Sequence, residues 1–204
     1  MPWKSCRSIG IAVAAVALAA LALPYSAAAD QASEIEAIRV ATAKYKDVNV
    51  ALANGYISPP PVECVSAAHE GLPPELGAMG IHYINPAILK ITAQEPRLDG
   101  MSTHTDFLNP AILIYEPQAD GSLVLIGVEN LVFQKAWKEA GNSAPPSFAG
   151  STWNTMADDP ATPDDEAHAF EPHFDLHVWA FRDNPTGALT PFNPNVTCEH
   201  YKAD

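Results

Sequence analysis

The sequence predicts an α+β fold: one N-terminal helix packed on a curled, mostly antiparallel sheet of four to six strands, with long Pro-rich loops. Three observations carry this expectation. An apolar stripe with helical spacing runs from Ser33 to about Ala53. Farther on, Ala111–Glu116 and Leu123–Phe133 flank Pro117-Gln118-Ala119-Asp120-Gly121, a segment rich in hairpin-turn chemistry. Last, HFDLHVWAFR, from His173 to Arg182, alternates with the period of a strand.

Ahead of the helix, residues 1–29 have the composition of a cleavable export signal. Lys4 and Arg7 precede an unbroken apolar run from Ile9 to Leu23; Pro24 ends it, and Ala27-Ala28-Ala29 follows as an A-x-A processing site. Residues 30–204 then form one domain of ordinary size, expected to be secreted or periplasmic and free of the membrane after processing. Lys4 and Arg7 leave with the leader. Nine basic and 24 acidic side chains remain, a formal charge of −15. Such a surface repels phosphate backbones and anionic membranes, which excludes nucleic-acid binding. Only Cys64 and Cys198 stay in the exported chain, and in an oxidising compartment two lone cysteines most simply pair as one disulfide.

In the helix, Ser33 is placed as the cap, Glu34 and Glu36 in the first turn, and Gly55 beyond the end. Ile35, Ile38, Tyr45, Val48 and Leu52 make its apolar stripe. Ser58-Pro59-Pro60-Pro61 ends the region and leads into Gly- and Pro-rich loop, where His69 and Glu70 read as solvated. A short strand at Ile81–Ile84 puts His82 and Ile84 on one face and Ile81 and Tyr83 on the other. Asn85-Pro86 turns the chain, and Asn109-Pro110 echoes it before the hairpin.

The second hairpin strand is apolar on both faces, with Val124, Ile126 and Val128 on one and Leu123, Leu125 and Leu131 on the other. It is therefore covered on both sides. Glu129 breaks it, on the same face as the small Gly127. Trp137 to about Asp165 reads as a long excursion, and the acidic loop 157–171 lacks the Gly and terminal Glu of an EF-hand. The tail, with Asn184-Pro185, Pro191 and Asn193-Pro194, ends near Cys198.

The candidate site follows from strand parity. In HFDLHVWAFR one face carries His173, Asp175, His177, Trp179 and Phe181, the other Phe174, Leu176, Val178 and Ala180. Among the seven histidines, His82, His173 and His177 lie in segments of strand character, and buried imidazoles need partners. Two accounts stand side by side. Either Asp175, Glu129 or backbone carbonyls satisfy the imidazoles and the cluster only fixes the core, or His82, Glu129, His173, Asp175 and His177 supply ligands to a divalent transition metal. Imidazole and carboxylate suit Zn²⁺, Cu²⁺, Mn²⁺ or Fe²⁺. Same-face residues four apart on a straight strand have Cα atoms about 13–14 Å apart, too far for His173 and His177 to share one ion without a bulge. Metal-free acid/base work by the same groups is a third account. Neither HExxH nor a nucleophile elbow nor a phosphate-cradling loop is present.

The phrases Gly80-Ile81-His82-Tyr83-Ile84-Asn85-Pro86 and His173-Phe174-Asp175-Leu176-His177-Val178-Trp179 carry one resemblance. Over about Cys64 to Cys198 the chain resembles a family of small exported bacterial proteins with no activity attached. The resemblance implies a bacterial, exported, single-domain chain and no chemistry. His82, Glu129, His173 and His177 on strands are also similar in arrangement to the cupin metal site, but the cupin phrase G(X)5HXH is absent.

Two functions are therefore expected. The first is an exported protein with a His/carboxylate site on a sheet face, metal-bound or not, whose reaction the sequence does not name. The second is a binding module that takes a small apolar ligand on Trp179, Phe181 and Tyr83, with the His/Asp cluster purely structural.

Overall fold

A computed structural model of the chain describes residues 27–59, 63–161, 165 and 167–202; of the expected leader, residues 1–29, all but the last three lie outside them. The fold is α+β, a curled antiparallel sheet with helix on one face. Six strands form the sheet: β1 (Cys64–Ser66), β2 (Ala78–Ile84), β3 (Ile112–Pro117), β4 (Leu123–Phe133), β5 (Asn154–Met156) and β6 (His173–Val178). Their order is β1-β2-β3-β4-β6-β5, and every neighbouring pair is antiparallel. No helix among the described residues is long and apolar enough to cross a membrane.

The expected single helix is two helices. The first, α1 (Ala27–Thr42), begins before Ser33, so that serine is an internal residue and not a cap. A 3-10 turn at Ala43–Lys46 follows, and α2 (Val48–Ala53) starts afresh behind Asp47. Hydrogen bonding explains the break. In a continuous helix the Tyr45 carbonyl would accept from the Asn49 N–H. Here it accepts from the Tyr115 hydroxyl at 2.7 Å, and the Asn49 N–H is taken by the Asp47 carboxylate at 2.9 Å. The stripe shifts with the break: Ile35, Ile38, Tyr45 and Ala51 are buried, while Leu52 is half exposed.

The second hairpin strand departs from simple alternation. Ile114 pairs with Gly127 but Tyr115 pairs with Leu125, so Ile126 is an extra residue, a β-bulge. Ile126 and Val128 therefore lie on opposite faces. Leu125, Val128 and Val132 join Leu113, Tyr115, Phe174, Leu176 and Val178 under α1. Ile126 and Leu131 look the other way, into two smaller clusters. One gathers Ile84, Leu89, Ile112, Leu131 and Phe133; the other gathers Ala78, Ile114, Ile126, Trp179 and Val196. Gly127 sits at the bulge, and its missing side chain makes no room for Glu129. A Cβ there would lie 2.9 Å from the Val178 carbonyl oxygen, against which the backbone is packed.

The two Asn-Pro turns do different work. Asn85 caps the single helical turn α3 (Pro86–Leu89) through its side-chain oxygen, whereas Asn109-Pro110 leads directly into β3. The excursion after β4 is more structured than expected. It opens with α4 (Gln134–Glu139), which includes Trp137, and returns through a small hairpin to the edge strand β5. In the acidic loop, Arg97 holds Asp158 and Asp165. Glu70 is not solvated alone: it lies 3.2 Å from His168 and 3.6 Å from His69.

Cys64 and Cys198 form a disulfide, with Cα atoms 5.7 Å apart and a sequence separation of 134. The bond joins an edge strand to the C-terminal tail and fits an oxidising compartment. Closing a loop of that size raises the unfolded state by about 4–5 kcal/mol in the chain-entropy description. The native protein should therefore show no free thiol at these two positions. Reduction should lower its melting temperature by roughly 5–15 °C. Thiol titration and a thermal scan with and without reductant check both expectations, and an unchanged melting point would remove the disulfide from the account of stability.

Candidate metal centre

On the sheet face turned away from α1, cross-strand register lines up one transverse row: Ile84, Ile112, Glu129 and His177, contributed by β2, β3, β4 and β6. His82 belongs to the next row, opposite Ile114. Glu129 and His177 are direct partners across the β4–β6 ladder, so their side chains rise from the same face side by side. His82 comes from two strands away. The sheet's curl lets its imidazole lean over β3 to meet them.

Three atoms meet. His82 Nε2 lies 3.2 Å from Glu129 Oε2, His177 Nε2 lies 3.4 Å from the same oxygen, and the two Nε2 atoms are 3.3 Å apart. The triangle is nearly equilateral. Zinc-type bonds of about 2.0–2.1 Å in tetrahedral geometry separate ligand atoms by about 3.3–3.4 Å. An octahedral ion with similar bonds separates adjacent ligands by about 3.0 Å. The observed spacing is thus that of three ligands around one small divalent cation. His177 is 1% exposed and Glu129 4%, while the His82 side chain keeps 21% of its surface, so solvent reaches the group from that side.

The electrostatics point the same way. Burial alone would push the Glu129 carboxyl up; the His177 and His82 imidazoles beside it outweigh burial and hold it well below the usual carboxylate range. Burial pushes His177 down to about 4, against the pull of Glu129. Glu129 is thus drawn toward its ionised form and His177 toward its neutral form, the protonation states a metal requires. Oε2 of Glu129 is buried without an aligned hydrogen bond despite its two close nitrogens. Lone pairs aimed at one another at this distance repel unless a proton or a cation lies among them.

His173 and Asp175 share the face but stay outside the group. The His173 Nδ1–H donates to the Glu171 carbonyl at 3.0 Å, and its ring rests near Phe170. The strand stays regular between His173 and His177, without the bulge that sharing an ion would need. Asp175 pairs across the ladder with Asn154 of β5. Burial first, then the charge of Glu129, raise its carboxyl to about 8 against the Asn154 amide.

The three aromatic residues of the apolar-ligand reading do not share a face. Tyr83 packs edge-on against Tyr115 under the helices, and Phe181 lies on that side below the Lys46 ammonium. Trp179 is on the other side, 3% exposed, its indole N–H donating to the Thr190 carbonyl. The strand ends at Val178, so the alternation that would pair Trp179 with Phe181 stops there. Trp179 has a different part: its ring stacks beside His177, with centroids 6.1 Å apart. Parity alone placed it near His177 but did not specify that contact.

No family model, curated protein or solved structure matches this chain.

The buried acids and bases make a pH signature for the metal-free protein. Asp175 is raised in the fold, so between about pH 4 and 8 it is protonated when folded and ionised when unfolded; stability falls as pH rises through that window. His177 is lowered, so its contribution is complete above about 6.5 and is lost as pH falls toward 4. The two slopes oppose each other below about 6.5 and leave Asp175 alone above it. Urea unfolding should give lower stability at pH 8 than at pH 6.5, and Asp175→Asn should flatten the decline. A wild-type profile that rises across this interval, or an unaltered slope in the variant, would contradict a neutral buried Asp175.

Proposed function

We propose that the chain is an exported metalloprotein that binds one divalent transition metal through His82 Nε2, Glu129 Oε2 and His177 Nε2. The single observation carrying this reading is the triangle of 3.2, 3.3 and 3.4 Å, drawn by three ligand-type atoms from three different strands. A structural polar cluster has no need of such a triangle. Its members would satisfy the carboxylate first, whereas here the two imidazole nitrogens stand at hydrogen-bond distance from each other and the buried Glu129 Oε2 is left without an aligned hydrogen bond. Two imidazoles and one carboxylate also match the donor set of catalytic zinc and non-haem iron centres, which keep coordination positions open.

Three protein ligands on one side of an ion leave its remaining positions to water or a small molecule. The partly exposed His82 marks the direction of entry. A metal held there supplies Lewis acidity and a bound water of lowered pKa. Glu129 contributes the negative charge and His177 a buried, oriented nitrogen. The export reading is supported by the leader composition of residues 1–29 and by the disulfide. In that compartment the site would have to retain its ion without a cytosolic supply.

Elemental analysis tests the reading. After reconstitution with Zn²⁺, Mn²⁺, Fe²⁺ or Cu²⁺ and extensive dialysis, purified protein should retain about one ion per chain. Glu129→Gln and His177→Ala should lose it, while His69→Ala on the exposed loop should keep it. Ligand excess of about 100 Kd should also stabilise the wild type by about 2.7 kcal/mol. His177→Ala should cost about 1–3 kcal/mol beyond its packing, because a buried charge loses its partner. Wild-type protein that retains no metal would sink the proposal. So would equal silence of His69→Ala and His177→Ala.

A further inference from the structure

The side of His177 away from the triangle has a requirement of its own. An imidazole that ligates through Nε2 carries its proton on Nδ1, and that N–H needs an acceptor, usually a carboxylate, a carbonyl or a water. His177 Nδ1 is buried and has no hydrogen-bond partner. The ring is 1% exposed, so bulk solvent does not provide one. Trp179, on one flank, offers only a π face. On the other flank, the preceding residue on the same strand face is Asp175, about 6.8 Å away along the chain.

Asp175 is 6% exposed, and its Oδ1 is likewise buried without a partner. Directly across the ladder stands Asn154, whose Nδ2 is a third buried group in the same condition. Two donors and one acceptor thus lie at adjacent positions of one sheet face. His173, the remaining imidazole there, already donates to Glu171 and needs nothing from Asp175. Buried waters characteristically make about three hydrogen bonds to polar groups that the protein leaves unmet.

The geometry points to Asp175 as the positioning residue of the metal centre. It accepts the His177 Nδ1–H, directly or through one buried water that Asn154 also holds, and so fixes the ring with Nε2 toward the ion. This assignment rests on the metal reading above. It also separates Asp175 from the ligands proper, for it lies outside the group that could touch the ion. The acceptor role belongs to an oxygen at this place, so asparagine can replace aspartate and leucine cannot.

Cobalt(II) titration of the folded wild type, Asp175→Asn and Asp175→Leu, followed by visible spectroscopy and with melting temperatures measured in chelator, tests the assignment. Wild type should bind one Co²⁺. Asp175→Asn should bind within about threefold of wild type with the same spectrum, while Asp175→Leu should bind about 10–100-fold more weakly with an altered one. Wild type that binds no Co²⁺ defeats the metal reading and this assignment together. Wild-type binding with an equally tight Asp175→Leu, or with Asp175→Asn weakened as much as Asp175→Leu, overturns the role of Asp175 alone. Should Asp175→Leu fail to fold, the imidazole N–H spectrum of Zn²⁺-loaded wild type decides. A slowly exchanging His177 Nδ1–H that shifts in Asp175→Asn supports the acceptor, and a fast-exchanging proton, or one that does not shift in Asp175→Asn, overturns it.

Discussion

A carboxylate buried in the middle of a sheet sets the terms for everything around it. Glu129 sits in β4, which is covered on both faces, where an unpaired ionised group would cost many times what a hydrophobic neighbour returns. The fold answers by bringing two imidazoles to the same oxygen from strands on either side. Both requirements fall on register. His177 must stand opposite Glu129, and β2 must pair with β3 so that His82 reaches over it. A one-residue slip in either ladder would turn an imidazole to the helix face and leave the charge alone. Register in this sheet is thus specified electrostatically as well as by hydrophobic contact.

That same arrangement divides the outer face. The apolar groups there do not merge into one core, as they do beneath α1, but stand in two clusters, one around Phe133 and Leu89, the other around Trp179 and Val196. Polar groups with exacting neighbours lie among them. The helix face has the opposite character: large aliphatic and aromatic side chains from four of the six strands and from the helices pack continuously. One face of the sheet supplies stability, and the other can hold a less stable but chemically specific site.

Much of this was legible in the sequence because the strand period is rigid. Parity put His177, Asp175 and His173 on one face and Phe174, Leu176 and Val178 on the other, and Glu129 stood out as the only charge in an apolar run. The hairpin announced itself through Asp120-Gly121. What the sequence did not give was selection among the five candidates. His173, Asp175 and His177 are equivalent by parity, and only the cross-strand neighbours distinguish them: Phe133, Leu131 and Glu129 in turn. The bulge at Ile126 was hidden because both of its alternatives are aliphatic, so the pattern reads the same with or without an inserted residue. The break between α1 and α2 depended on a distant group, the Tyr115 hydroxyl, competing for the Tyr45 carbonyl. β5 was missed because three residues, Asn154-Thr155-Met156, are too few to show a period.

Those three residues, and the three of β1, bound the sheet. An open sheet has two free edges, and a long flat edge is a template on which another chain can add a strand. Here the eleven-residue β4, the most aggregation-prone segment by composition, lies in the interior with a strand bonded on each side. At one margin the short ladder of β1 is anchored covalently to the tail at Cys198. At the other, β5 offers polar side chains around Thr155 and runs only half the length of its partner β6. Among the described residues, this six-stranded sheet thereby offers little continuous backbone for strand addition, a form of protection against polymerisation.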